Sequence, residues 1–176
     1  MGLKLYFCRL NPIIMSQRLQ SVFFFLSSLL FAMLFFMPMA EYFGETNILQ
    51  FDVFGVESML PHGDVPFKSS FSLPVLVMTV TALLLSLYLS LGLFRAVKLS
   101  HFMRLYRVAL IDIVVIVAWI AVVFGYYIRV VGHPIGAETE FMLGAFLPLP
   151  ALLLTIAATM GLKKDIKRVR STDRIR

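Results

Sequence analysis

Asp112 is the residue whose placement most invites a chemical reading. It interrupts an apolar run, Val108 to Ile128, that holds no other acid and no Lys, Arg or His before its end. A carboxyl at the middle of a bilayer costs about 2.5–3.5 kcal/mol on insertion scales, so such a group marks a site by default. In that role Asp112 would relay protons or cations. A plainer role is open as well. Asp112 follows Arg107 by about one and a half helical turns, so near the start of its helix it can snorkel outward, lie by the positive helix end, or pair with Arg107 or Arg104. A relay normally needs a second polar partner at depth, and no other apolar run supplies an ionisable one. The plainer role is therefore the expectation.

Other groups capable of chemistry form weaker patterns. His62 with Asp64, and His133 with Glu138 and Glu140, are metal-ligand types, but neither set has the His-Glu-x-x-His or paired-cysteine spacing that a metal site shows. His101 stands apart from both sets. All three histidines read as solvated loop residues. The hydroxyls of Ser27, Ser28, Thr79, Thr81, Ser86, Ser90, Thr155 and Thr159 lie in apolar runs with no His or Lys at similar depth to activate them as nucleophiles. The single cysteine, Cys8, excludes paired-thiol chemistry within one chain. The expectation is a chain with no catalytic, metal or cofactor site, and not an enzyme.

The elements that must position these residues are set by composition. Of the 176 residues, 60% are hydrophobic and 15% charged. A soluble domain carries about 45–50% and about 25%. Mean hydropathy is +0.89, which makes lipid the solvent for most of the chain. Four runs are long enough to cross it at about 20 residues each: 21–40, 72–94, 108–128 and 141–162. Irregular backbone cannot face hydrocarbon, and no ten-residue alternation of a barrel is present, so the runs are read as helices. The first is too long for the 7–15-residue core of a cleaved signal, and Met37-Pro38-Met39-Ala40 is a poor cleavage site. The fold class is an all-α four-helix transmembrane bundle.

Charge gives the orientation. Segments 1–20, 95–107 and 163–176 hold 14 of the 16 Lys and Arg, whereas loops 41–71 and 129–140 hold only Lys68 and Arg129 and carry seven of the ten acids. Basic short loops stay in the cytoplasm, so both termini are read as cytoplasmic. Tyr126, Tyr127 and Arg129 mark the outer edge of the third run. Within the larger outer loop, Asn47 to Val56 alternates apolar and polar residues, with Gly55 for a turn, and predicts a short β-hairpin capping the bundle. Small residues recur at four-residue spacing in every run (Ser28 and Ala32; Ala82, Ser86 and Ser90; Ala121 and Gly125; Ala157 and Gly161), as expected where helix backbones approach closely in lipid.

The tail, 163–176, carries Lys163, Lys164, Lys167, Arg168, Arg170, Arg174 and Arg176. Leu162, Ile166 and Val169 fall at helical spacing, which continues the fourth helix past the membrane as an amphipathic segment. Juxtamembrane bases gain about 1 kcal/mol each from an anionic leaflet, so these seven are the candidate contacts to lipid headgroups or to an acidic partner. A few tail residues offer no shaped or stacking platform, so no nucleic acid is expected.

Two stretches carry a resemblance. One is Met15-Ser16-Gln17-Arg18-Leu19-Gln20, leading into the Phe-rich first run and on to Met37-Pro38-Met39-Ala40-Glu41. The other comprises Phe146-Leu147-Pro148-Leu149, Gly161-Leu162-Lys163-Lys164-Asp165, Val169-Arg170-Ser171 and Asp173-Arg174-Ile175-Arg176. Over residues 15–176 the chain resembles a bacterial family of four-span membrane proteins known only as a domain of unknown function. The resemblance implies the same spans and no mechanism. Members of that family begin at the position of Met15, which makes residues 1–14 an extension or an early start. The functional expectation is a non-enzymatic accessory or structural subunit of an inner-membrane complex, with a membrane-protein partner or a second copy. The alternative is a small transporter or proton- or cation-conducting protein that uses Asp112.

Overall fold

The computed structural model describes residues 3–44, 48–60, 65, 67, 69–95, 99–132 and 138–173, without the side chains of 3–17, 69, 70, 99, 138, 169 and 171–173. Four long helices dominate. Helix α1 covers Leu3–Met33, α2 Leu73–Arg95 and α3 Leu99–Val122. A π-turn, Val123–Tyr127, carries α3 into the short α4, Ile128–Gly132. The single turn α5, Leu143–Phe146, leads into α6, Pro148–Asp173. Helices α1 and α3 each pack against both α2 and α6, closing a ring.

The segments Leu73–Arg95, Ser100–Val131 and Leu143–Arg168 are long and apolar enough to cross a membrane. The first expected run is shorter than its hydropathy implied. Among residues with described side chains its apolar helix is Arg18–Met33, and Ala40 already opens a strand. Pro38 explains the early end. It brings no N–H for a helical bond and disfavours helical backbone at Met37 before it. The fourth run also starts later than expected, because Phe141 is the last residue of a strand and Leu143 begins the helix.

Polarity is distributed in reverse of a water-soluble bundle. Outward faces carry Phe25 and Leu29 on α1, Leu84 and Leu91 on α2, Val114 at 66% exposure on α3, and Leu153 at 68% on α6. Serine, threonine and aspartate residues lie inside. Two apolar clusters fill the ring. One, at the end where α1 finishes and α2 starts, holds Phe31, Val75, Ile116, Trp119 and Ala151. The other, toward the opposite end, holds Phe24, Leu89, Leu93, Ala109, Ala158 and Leu162.

A small antiparallel sheet closes the first end. Strands β1 (Ala40–Phe43), β2 (Ile48–Phe51), β3 (Val56–Ser58) and β4 (Glu138–Phe141) lie in the order β3-β2-β1-β4. The expected hairpin is β2–β3, with Phe51 opposite Val56 and its turn closed by the Asp52 N–H donating to the Gly55 carbonyl. Two further strands join it. β1 pairs with β2 and, on its other edge, with β4 from the segment between α4 and α5, setting Ala40 opposite Phe141. Alternation places Tyr42, Leu49, Phe51 and Val53 inward, where they merge with the bundle core. Phe51 stacks on Tyr127, with ring centres 5.7 Å apart.

Gly144 fixes how closely α5 approaches this cap. A Cβ there would lie 2.4 Å from the Pro38 carbonyl oxygen, and the Gly144 N–H donates to that same oxygen at 3.1 Å. Backbone cannot yield as a side chain does. Gly144→Ala should therefore destabilise the protein by about 1–3 kcal/mol, read as a lower melting temperature in detergent. Gly125→Ala, where an added methyl meets nothing within 4 Å, should leave melting unchanged or slightly raised.

Candidate functional site

A layer of polar residues crosses the middle of the bundle, between the two apolar clusters. Helix periodicity puts it there. Ser27 lies between Phe24 and Phe31, Ser86 between Ala82 and Leu89, Asp112 between Ala109 and Ile116, and Thr155 between Ala151 and Ala158. Each long helix contributes one residue, and all four are buried. They bond in pairs. The Ser86 hydroxyl donates to Asp112 Oδ2 at 2.8 Å, tying α2 to α3. Thr155 donates to the Ala151 carbonyl one turn back, which leaves its oxygen to accept from Ser27 at 3.0 Å, tying α1 to α6.

Asp112 is wholly buried. Its placement differs from the expectation that it snorkels to the interface or pairs with an arginine. Arg104 and Arg107 are exposed on α3, whereas Asp112 points between helices to a hydroxyl. The reason is angular. Asp112 shares the inward stripe of Leu105, Ala109, Ile116 and Trp119, and Arg107 does not. Its second oxygen, Oδ1, has no hydrogen-bond partner among the described residues.

Similar bonds flank the layer. Trp119 Nε1 donates to Thr79 Oγ1 at 2.8 Å, while the Thr79 hydroxyl donates to the Val75 carbonyl. Ser21 donates to the Ser90 carbonyl at 2.6 Å. The small-residue stripe expected on α2, Ala82-Ser86-Ser90, is buried as such, and so is Ser28. On the other helices the stripe lies elsewhere. Ala121, Gly125 and Ala157 face outward, and α6 turns Ala151, Thr155 and Ala158 inward instead.

A second buried polar group lies toward the basic end. Gln20 Nε2 donates to Asp165 Oδ2 at 2.7 Å, across 145 residues of chain. Both side chains are buried, and Arg168 Nη1 lies 3.6 Å from Asp165 Oδ1. Gly161 makes room for this clasp, since a Cβ there would sit 2.8 Å from Gln20 Nε2. Sequence reasoning quoted Gln20, Gly161 and Asp165 as parts of motifs but assigned them no contact. The signal was present as a buried-type glutamine and an acid within a basic tail, without anything to show that they meet.

The tail residues Lys163, Lys164, Lys167, Arg168 and Arg170 are exposed on α6, and Arg174 and Arg176 lie outside the described residues. The helix does continue past Leu162, which is buried, through half-buried Ile166. His62, Asp64, His133 and the side chain of Glu138 lie outside the described residues; Glu140 is exposed in β4, and His101 is exposed in the first turn of α3 rather than in a loop. At the sheet, burial pushes the Tyr42 phenol well above its usual range, and its hydroxyl donates to the Ile128 carbonyl at 3.3 Å. Burial also raises the Asp52 carboxyl, opposed by its bond from Gln50 and reinforced by the charge of Glu57.

Comparison with known proteins adds one result. The profile of a family described as a domain of unknown function, DUF4293, matches residues 16–175. The chain belongs to that family. No curated protein and no solved structure matches it. The DUF4293 match takes in both halves of the Gln20–Asp165 clasp and all four members of the polar layer.

The clasp has a measurable consequence. In a cycle of Gln20→Ala, Asp165→Ala and the double variant, unfolding in detergent should give a coupling of about 0.5–3 kcal/mol. Gly161→Val, which crowds Gln20, should reproduce most of the Gln20→Ala loss. Strict additivity would show that the pair contributes nothing.

Proposed function

We propose that this DUF4293 protein is a four-span protein of a bacterial inner membrane, with both termini cytoplasmic, that serves as a non-enzymatic accessory or structural subunit of a membrane complex. The observation that carries this reading is how the interior polar groups are used. Ser27 with Thr155, Ser86 with Asp112, and Thr79 with Trp119 join one helix to another. Such bonds hold a scaffold, and a hydroxyl engaged in this way is not poised as a nucleophile.

The fourth crossing is α1. Its helix is continuous over Leu3–Met33, and its outward residues Leu19, Val22, Phe25, Leu26, Leu29 and Met33 are all apolar. Arg18, Arg95, Arg104, Arg107, Lys163, Lys164, Lys167, Arg168 and Arg170 lie at the end of the bundle away from the sheet, which agrees with that end being cytoplasmic. The sheet then forms the extracytoplasmic cap, and the basic tail meets anionic lipid or a partner's acidic surface. A partner's helix, or a second copy, would lie along the apolar outer faces.

A second reading has one observation in its favour. Asp112 Oδ1 is a buried carboxylate oxygen without a partner among the described residues, the kind of group a proton or cation path uses. The two readings separate by experiment. Extraction in mild detergent followed by affinity capture should recover a stoichiometric membrane partner or a homo-oligomer, and a clean monomer under several extraction conditions would count against the subunit reading. In proteoliposomes the wild type should show no proton or cation flux. A flux that Asp112→Asn abolishes would establish the second reading in its place.

A further inference from the structure

Between the end of α2 and the start of α3 lies a groove of about 340 Å³, at the basic end of the bundle. Arg95, the last residue of α2, and His101 and Arg104, from the first two turns of α3, line its mouth. All three are exposed. Tyr88 and Leu91 line it farther along α2, about 6–10 Å from Arg95 by helical rise, and buried Leu105 closes the floor. Among the described residues no carboxylate lines it. Gly92 keeps the floor tight, since a Cβ there would stand 2.7 Å from Leu105 Cδ2.

We propose that this groove binds the phosphate headgroup of an anionic phospholipid, with the start of its acyl region lying over Tyr88 and Leu91. The proposal rests on the membrane reading above, which puts this end of the bundle at the cytoplasmic leaflet. Two guanidinium forks match phosphate oxygens in pairs, and an imidazole adds a third donor. Basic pockets between transmembrane helices on the cytoplasmic side recognise such headgroups. The groove also has an amphiphile's polarity, with cations at one end and the half-exposed Tyr88 and Leu91 farther along α2. Free phosphate would use only the mouth. The site differs from the α6 tail, whose cations extend along one helix without enclosing a volume.

The test uses the full chain in nanodiscs of phosphatidylcholine with a minor share of phosphatidylglycerol, with bound lipid read by native mass spectrometry. The wild type should retain phosphatidylglycerol in preference to phosphatidylcholine. Arg95→Gln and Arg104→Gln should each weaken that preference roughly fivefold, and the double variant should lose it. Replacing Lys163, Lys164 and Lys167 by Gln should leave it largely intact. Arg95→Lys with Arg104→Lys keeps the charge, so it should retain more of the preference than the Gln pair and also serves if the Gln pair does not fold. Equal retention by wild type and the Gln pair would overturn the proposal, as would displacement of the lipid by inorganic phosphate. A chain that fails to enter the discs would overturn the membrane reading itself, whereas one that enters and shows no lipid preference overturns only the groove.

Discussion

A polar side chain buried between apolar clusters has no water to turn to, and this constraint organises the molecule. Transfer of such a group into an apolar medium without a partner costs several kcal/mol, so the inward serines, threonines, tryptophan and aspartate bond to one another or to the preceding turn of their own helix. Individual bonds of this kind contribute modestly, about 0.6 kcal/mol on average in one membrane bundle. Their greater effect is on register. Sliding α2 against α3 by one turn would separate Ser86 from Asp112 and Thr79 from Trp119 together, stripping Ser86, Asp112 and Trp119 of these partners at once. The apolar clusters above and below could repack after such a slide; the polar layer could not.

The two ends of the bundle are tied differently. At one end a sheet drawn from the α1–α2 and α4–α5 connections covers the core, and Tyr42 and Phe51 of the sheet, with the neighbouring Tyr127, continue the packing of Phe31 and Trp119. The π-turn at Val123–Tyr127 shifts the helical phase by one residue, so that Tyr127 and Ile128 both face inward. Tyr127 then reaches the Phe71 carbonyl with its hydroxyl, and the Ile128 carbonyl receives Tyr42. At the other end, where no sheet forms, Gln20 and Asp165 draw α1 to α6. Lys163, Lys164, Lys167 and Arg170 are exposed there, while Arg168 lies against Asp165.

Much of this was legible in the sequence because hydropathy is a local property. The apolar runs located the centres of α2, α3 and α6, and the alternation after Asn47 foretold β2 and β3. Ends and partners were less legible because they depend on residues far apart in the chain. Met37 to Met39 is as apolar as the helix before it, but Pro38 and the pairing of Ala40 with both Phe51 and Phe141 lead the chain from helix into strand. Asp112 stood out by type, but its neighbour Ser86 is one serine among many and carries no mark. The motifs holding Gln20, Gly161 and Asp165 were visible at opposite ends of the chain, and their meeting is a property of the fold. The small-residue stripes misled on α3 and α6 because Gly and Ala fit outward positions as readily as inward ones.

The account depends on four crossings that leave the sheet on one side and both basic ends on the other. In a Cys8→Ser background, single cysteines at Arg18, Glu57 and Arg170 can be probed in spheroplasts with a membrane-impermeant maleimide. The account predicts that Glu57→Cys reacts at once, while Arg18→Cys and Arg170→Cys react only after the membrane is opened. Reaction of Arg18→Cys and Arg170→Cys from opposite sides would contradict it.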